Sequence, residues 1–333
     1  MEGNKIQTKL VGFKPLKDLV KANFQELGLE IKCIIFKSAD DLKLIVYADQ
    51  NKSIICYDIN NNQKVNEVRN AHEKEISFLN YYSKKMKGIN LMLSISAIEN
   101  NLKVWNASTF KCLHNFTHIS SQGWINCACF LNDNNQMYVL STNSTGYSKT
   151  PNPIKVYDLK GNNIKDINNS SQNTYFIDVY YDNKASKKYI ITGNIGFSQS
   201  YNYDTNTVYH TYDDKDIKFH TSSIIKEGET VELIESSQDG NIRIWNFHTA
   251  DLLKKINVGF SGSFVTCLWD NDYLLACGRD GIKIINLKDE KNITESKLGS
   301  NGLIRIGKIA HSKYGKCLVL QTVNGFSLYE CEN

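Results

Sequence analysis

Three prolines in 333 residues leave no room for a Pro-rich linker, and 20 glycines fall below average usage. Size alone suggests about two domains, but a chain so poor in joint-forming residues has no evident hinge. The nine cysteines include no Cys-x-x-Cys pair, and their odd number does not suit a closed disulfide framework. Most sit in apolar runs such as 31–36 and 125–131, as free thiols in a reducing compartment do. No apolar run reaches the roughly 18 residues of a membrane helix, and residues 1–25 lack the apolar core of a signal peptide. An intracellular protein is expected, cytoplasmic first, with nucleus or cytoskeleton also compatible. The balance of 39 Lys and Arg against 35 Asp and Glu, net +4, is too small for a nucleic-acid or membrane footprint.

What is present is an ordinary globular composition, 41% hydrophobic, 22% charged and 11% aromatic, in a chain long enough to bury a core without staples. The informative signal is repetition. The clearest unit, residues 235–246, ends one strand, turns through Asp239-Gly240, and starts another with Ile242 and Ile244 alternating before Trp245-Asn246. Asp-Gly between alternating apolar residues is a strong hairpin signal, because both turn positions must tolerate positive φ. The aromatic-polar pair recurs as Tyr57-Asp58, Trp105-Asn106, Tyr157-Asp158 and Tyr201-Asn202, with weaker forms at Ile285-Asn286 and Tyr329-Glu330. Seven units emerge, each reading as four short strands, at approximately 30–72, 73–118, 122–171, 173–213, 217–258, 262–298 and 302–333.

These units resemble the WD40 family of β-propellers, whose repeats each form one four-stranded blade. The residues that carry the resemblance are Trp105 and Trp245 with their preceding strands, Ala71-His72 ahead of Ile76, and the run 123–130. No aromatic-polar pair at the recurring position is Trp-Asp; the one Trp-Asp in the chain, Trp269-Asp270, falls outside that period. The family's His-Ser-Asp-Trp hydrogen-bond set reads as broken: His72 and Trp105 have Ile95 and Glu99 at the Ser and Asp positions, and Trp245 has Glu235 for Ser with no matching His. Packing rather than buried polar networks is therefore expected to hold the blades.

The resemblance implies an all-β, seven-bladed propeller of four-stranded antiparallel blades. The seventh unit stops four residues past Tyr329, before an outer strand. The segment 16–27 stands where that strand is needed, and pairing it with the C-terminal blade closes the ring without an open edge. Leu16, Leu19, Val20 and Phe24 fit a short helix about as well. Residues 1–15 read as an extension before a single domain, 16–333.

Catalytic constellations are thin. The seven histidines are spread over five of the seven units, and the one His-x-x-x-His spacing, His114 and His118, lies on or after an outer strand, not on a helix face; Cys127-x-Cys129 reads as packing on one strand face. No Gly-x-Ser-x-Gly, P-loop or dinucleotide turn occurs. No metal, cofactor or small-molecule substrate is expected. Short Lys clusters at 84–87 and 187–188 read as solvated loops rather than nucleic-acid contacts. The expected function is a non-enzymatic scaffold that binds a protein or peptide within a larger assembly. The alternatives are a propeller enzyme with a central-channel site and a ubiquitin-ligase substrate receptor, the latter weakened because neither tryptophan is followed by the Asp-x-Arg of such receptors.

In WD40 proteins partner contacts cluster on one rim, flanking the first inward residue of each blade or preceding the turn Asp. Carried over by position, the resemblance implies Trp124, Phe176, Ile98, Leu303, Arg279, Arg305, Lys32 and Asn126 as candidate contacts, aromatic and arginine side chains being enriched at binding hot spots. The insertion at 141–153 is expected to form a long loop on the same rim.

Overall fold

The computed structural model describes residues 12–21, 33–37, 43–84, 88–117, 123–144, 152–168, 173–214, 220–260, 262, 264–278, 281–289, 293–296, 303–322 and 324–332. Among them the chain is all β, in seven four-stranded antiparallel sheets. Blades 1 to 6 cover residues 33–68, 78–117, 124–167, 174–213, 220–257 and 264–296, and each is laid down in sequence order. The first strands pack side by side around the ring, that of blade 7 returning against that of blade 1. The chain is a seven-bladed β-propeller.

Blade 7 takes three strands from residues 303–332 and its outer strand, Gly12–Lys21, from the N-terminus. That strand runs antiparallel to Gly325–Glu332, from Gly12 opposite Glu332 to Lys21 opposite Gly325. It begins four residues earlier than the sequence suggested, so residues 12–15 belong to the ring and not to an extension; Phe24 lies outside the described residues. The register slips between Pro15 and Lys17 and between Asp18 and Val20, leaving Leu16 and Leu19 as the extra residues. Both pack into the core between blades 7 and 1. A three-residue spacing cannot share one face of a regular strand, and the two bulges reconcile it, which is why the segment also looked helical. Pro15 sits on an outer strand, where a missing N–H is tolerated.

The polar member of each aromatic-polar pair ends the third strand and caps the turn to the outer strand. Asp58 accepts the backbone N–H of Asn60 at 2.9 Å, Asn106 those of Ser108 and Thr109, Asp158 those of Lys160 and Asn162, Asn202 those of Asp204 and Thr205, Asn246 that of His248, and Asn286 that of Lys288. Short Asx side chains form such turns readily. Blade 7 has no such turn, because its outer strand arrives from the other end of the chain, and there the pair reads Tyr329-Glu330. The aromatic member is buried, as Tyr57, Trp105, Tyr157, Tyr201 and Trp245 all are.

In blades 1 to 5 the outer strand bulges opposite that aromatic residue. A bulge bends an edge away from further pairing, and these five outer strands are five of the seven outer sheet edges of the ring. Apolar clusters fill the spaces between blades: Leu44, Ile54, Leu79 and Trp105 join blades 1 and 2, and Leu275, Ile284, Leu318 and Leu320 join blades 6 and 7. Burying each such side chain stabilises the ring by about 1.5–3 kcal/mol. At the Asp239-Gly240 turn, Gly240 adopts φ +82, and a Cβ there would lie 2.7 Å from the carbonyl oxygen of Phe260, so the hairpin and its approach to blade 6 both require glycine.

Candidate interaction surfaces

Antiparallel order gives the ring two distinct faces. First strands start, and second strands end, on one face, here called upper; the turns from first to second strand and from third to outer strand lie on the lower one. The rim implied by the WD40 resemblance is the upper face.

Three large apolar side chains stand exposed there on consecutive blades. Ile98 occupies the turn after the second strand of blade 2 and is 67% exposed; Trp124 opens the first strand of blade 3 and is 53% exposed; Ile195 sits in the corresponding turn of blade 4 and is 45% exposed. Sequence reasoning named the first two and missed Ile195. Its signal was available: an isoleucine between Asn194 and Gly196, the latter at φ +88, occupies a tight turn that cannot turn it inward.

Phe176 is a correction. It is 8% exposed and lies among Tyr180, Tyr189, Tyr212 and Trp245 between blades 4 and 5. Its ring crosses Gly193, where a Cβ would meet it at 1.9 Å. The cause is register. First strands bulge near their start in blades 3, 4, 5 and 7, skipping Asn126, Tyr175, Thr221 and Ile304. Phe176 therefore corresponds to the buried Cys127, not to Asn126 as the repeat spacing suggested, and a one-residue slip exchanges the faces of a strand. Leu303 and Arg305 hold the register positions of Thr174 and Phe176; their side chains, like Lys32 and Arg279 altogether, lie outside the described residues. Asn126 is half-buried and donates to the carbonyl of Thr174 at 2.9 Å, tying blade 3 to blade 4. Gly146, Tyr147 and Pro151 of the expected loop are outside the described residues, while its first residues, 141–144, extend the second strand of blade 3.

The tryptophan blades carry polar networks after all. In blade 2, Trp105 Nε1 donates to Ser94 Oγ at 2.9 Å and that hydroxyl meets His72 Nε2 at 2.7 Å, while His72 Nδ1 faces Glu99 Oε2 at 3.5 Å. The serine is Ser94 and not the position of Ile95, because tryptophan and serine are 11 residues apart here, against 10 between Trp245 and Glu235. Burial, with Lys103's charge second, lowers the His72 pKa to about 4 against the pull of Glu99.

In blade 5, Trp245 Nε1 donates to Glu235 Oε2 at 2.9 Å, and Glu235 Oε1 lies 3.8 Å from Nδ1 of the fully buried His220. Sequence reasoning found no histidine for this blade because His220 comes from the first strand itself, not from the segment before it. The Ser198 hydroxyl of blade 4 lies 3.1 Å from the same Nδ1. Burial pushes Glu235 up to about 7 despite hydrogen bonds from Ser198 and Trp245, and lowers His220 to about 3. A carboxyl only 1% exposed is out of reach of a substrate, so this perturbation belongs to packing between blades. Alongside, Arg243 is 1% exposed and donates to Asp239 at 2.6 and 3.3 Å and to Asp214 at 2.6 Å.

Cys127 and Cys129 are buried between blades, and burial raises both thiols, Cys127 to about 12. Thiols held protonated pack as apolar groups and do not ligate. No group of three His, Cys, Asp or Glu side chains among the described residues is placed to hold a metal. No protein-family model matches the chain, and no curated protein matches it.

Proposed function

We propose that this chain is a WD40-type propeller acting as a non-enzymatic scaffold, holding a protein or peptide partner on its upper face within a larger assembly. One observation carries the reading: Ile98, Trp124 and Ile195 are exposed on the same face of three consecutive blades. Large apolar groups left in water on one face are the usual mark of a docking surface. The hydrogen-bonded set of His72, Ser94 and Trp105 supports the family resemblance. The free thiols of the seven cysteines whose side chains are described support an intracellular setting.

The test is affinity purification of wild type and of an Ile98→Ser, Trp124→Ala, Ile195→Ser variant from the native cell, followed by mass spectrometry, with thermal melts of both. Loss of specific partners at unchanged melting temperature is expected. Identical partners for both proteins would sink the surface.

A further inference from the structure

The lower face carries a cleft between blades 4 and 5 of about 490 Å³, a volume in the range of ligand sites. It is framed by the turn after the first strand of blade 4 (Asp182, Lys184), the corresponding turn of blade 5 (Glu227, Glu229), and His248 in the turn after the third strand of blade 5. Tyr180 forms its wall. That residue is 7% exposed, its ring is fixed edge-on against Phe247 at 5.0 Å, and its hydroxyl has no hydrogen-bond partner among the described residues. The phenol ring is deeply set, while its hydroxyl is not sealed from solvent and stays open on the cleft side, available to a ligand. Burial, and then the charges of Asp182 and Glu227, raise its pKa to about 12, consistent with a hydroxyl held near both carboxylates.

The charges are unequal. Asp182, Glu227 and Glu229 face Lys184 alone, a formal −2 with His248 neutral. Asp182 is already engaged: its carboxylate accepts the N–H of Lys184 at 3.0 Å and that of Ala185 at 2.9 Å, and lies 3.7 Å from His248 Nε2. Glu227 and Glu229 have no hydrogen-bond or ion-pair partner among the described residues. Because the carboxylates do not converge as metal ligands, they suit an extended organic cation better than a divalent ion. An aromatic wall beside carboxylates is the arrangement that receives a guanidinium or ammonium group.

The cleft does not end there. A second depression of about 390 Å³ shares Tyr180 and Glu227 and continues over Val179, Ile225 and Leu268 toward blade 6, with Lys226 at its edge held by Glu232 at 2.8 Å. A single amine would leave this apolar extension empty, whereas a chain placing a basic side chain in the cleft and an apolar one beyond it fills both. We propose that the lower face binds a peptide segment of a protein partner, with an arginine or lysine against Tyr180, Glu227 and Glu229 and a neighbouring apolar residue over Val179 and Leu268. This second site, opposite the upper-face surface and independent of it, would let the ring hold two partners at once.

The test is fluorescence polarisation of the full chain with a fluorescein-labelled Gly-Ser-Arg-Leu-Ser-Gly peptide and its Gln-for-Arg counterpart. The arginine peptide is expected to bind roughly tenfold tighter, as charge-assisted hydrogen bonds require. Glu227→Gln with Glu229→Gln should abolish that preference, and Tyr180→Phe should weaken the arginine peptide several-fold. Glu73→Gln, an exposed glutamate away from the cleft, should change nothing. All three glutamates are exposed, and Tyr180→Phe removes only a hydroxyl, so folding is preserved. Equal or absent binding of the two peptides, or a preference that survives the double substitution, would overturn the proposal.

Discussion

Blades 2 and 5 each anchor a tryptophan in their third strand, yet they satisfy its indole N–H with different chemistry. Blade 2 uses the neutral hydroxyl of Ser94, relayed to His72. Blade 5 uses the carboxyl of Glu235, set beside His220 and directly opposite the buried Arg243 on the neighbouring strand. A hydroxyl satisfies its neighbours at any pH, whereas a buried carboxyl answers to pH and needs its donors. The same repeat therefore contains one blade held by fixed hydrogen bonds and one held by balanced charge.

Four comparisons sharpen or break this contrast, in descending order of effect. Arg243→Met leaves Asp239 and part of Asp214 uncompensated and should cost about 3–5 kcal/mol in denaturant unfolding. Lys103→Met, at the matching register position of blade 2, loses a bond to the Ala71 carbonyl and a 6.0 Å approach to the Trp105 ring but no ion pair among the described residues, and should cost about 1 kcal/mol. Equal losses would erase the distinction.

Glu235 comes next. Its folded pKa of about 7 lies above the ordinary 4.5. Its contribution is therefore fully present below pH 4.5 and is lost as pH rises through 7, by an amount on the order of 3 kcal/mol. Glu235→Gln should gain on wild type over that window, read as the difference between two unfolding series. The difference is needed because His220 and His72, with lowered pKa values, run the other way: their contribution is present above pH 6.5 and is lost as pH falls through about 3 and 4. Ser94→Ala should show a loss relative to wild type that does not vary with pH. A flat Glu235→Gln difference would contradict the charge account of blade 5.

Trp245→Phe should cost more than Trp105→Phe, about 2–3 against about 1–2 kcal/mol, since it strips a donor from a carboxylate and not from a hydroxyl that keeps its histidine. Smallest of all is Trp124→Ala, expected to stay within about 0.5 kcal/mol because the indole is half in water; a larger loss would show that the ring packs.

Much of this was legible in the sequence, for identifiable reasons. Aromatic-polar pairs recur because one member fills the space between blades and the other caps a turn, so blade number and strand order followed from them. The missing outer strand of blade 7 was visible in the distance from Tyr329 to the chain end. What composition and spacing did not reveal is register. A bulge adds a residue without changing residue type, so Phe176 looked like a rim residue and is buried, and one extra residue in the turn of blade 2 hid Ser94 behind Ile95. Leu16 and Leu19 share a core face only because two bulges intervene. His220 was invisible as a network member because it enters from a different strand than His72 does. Ile195 was overlooked beside a buried Asn194, although its Gly-flanked turn marked it.

On the function proposed above, the ring keeps the polar networks between its blades for itself and offers Ile98, Trp124 and Ile195 to a partner on its upper face. The most direct measurement is hydrogen–deuterium exchange of the chain, alone and with a partner that the Ile98→Ser, Trp124→Ala, Ile195→Ser variant fails to capture. Slowed exchange at 96–100, 123–126 and 194–197 is the predicted result; unchanged exchange in all three segments, with protection confined to other surfaces of the ring, would contradict it.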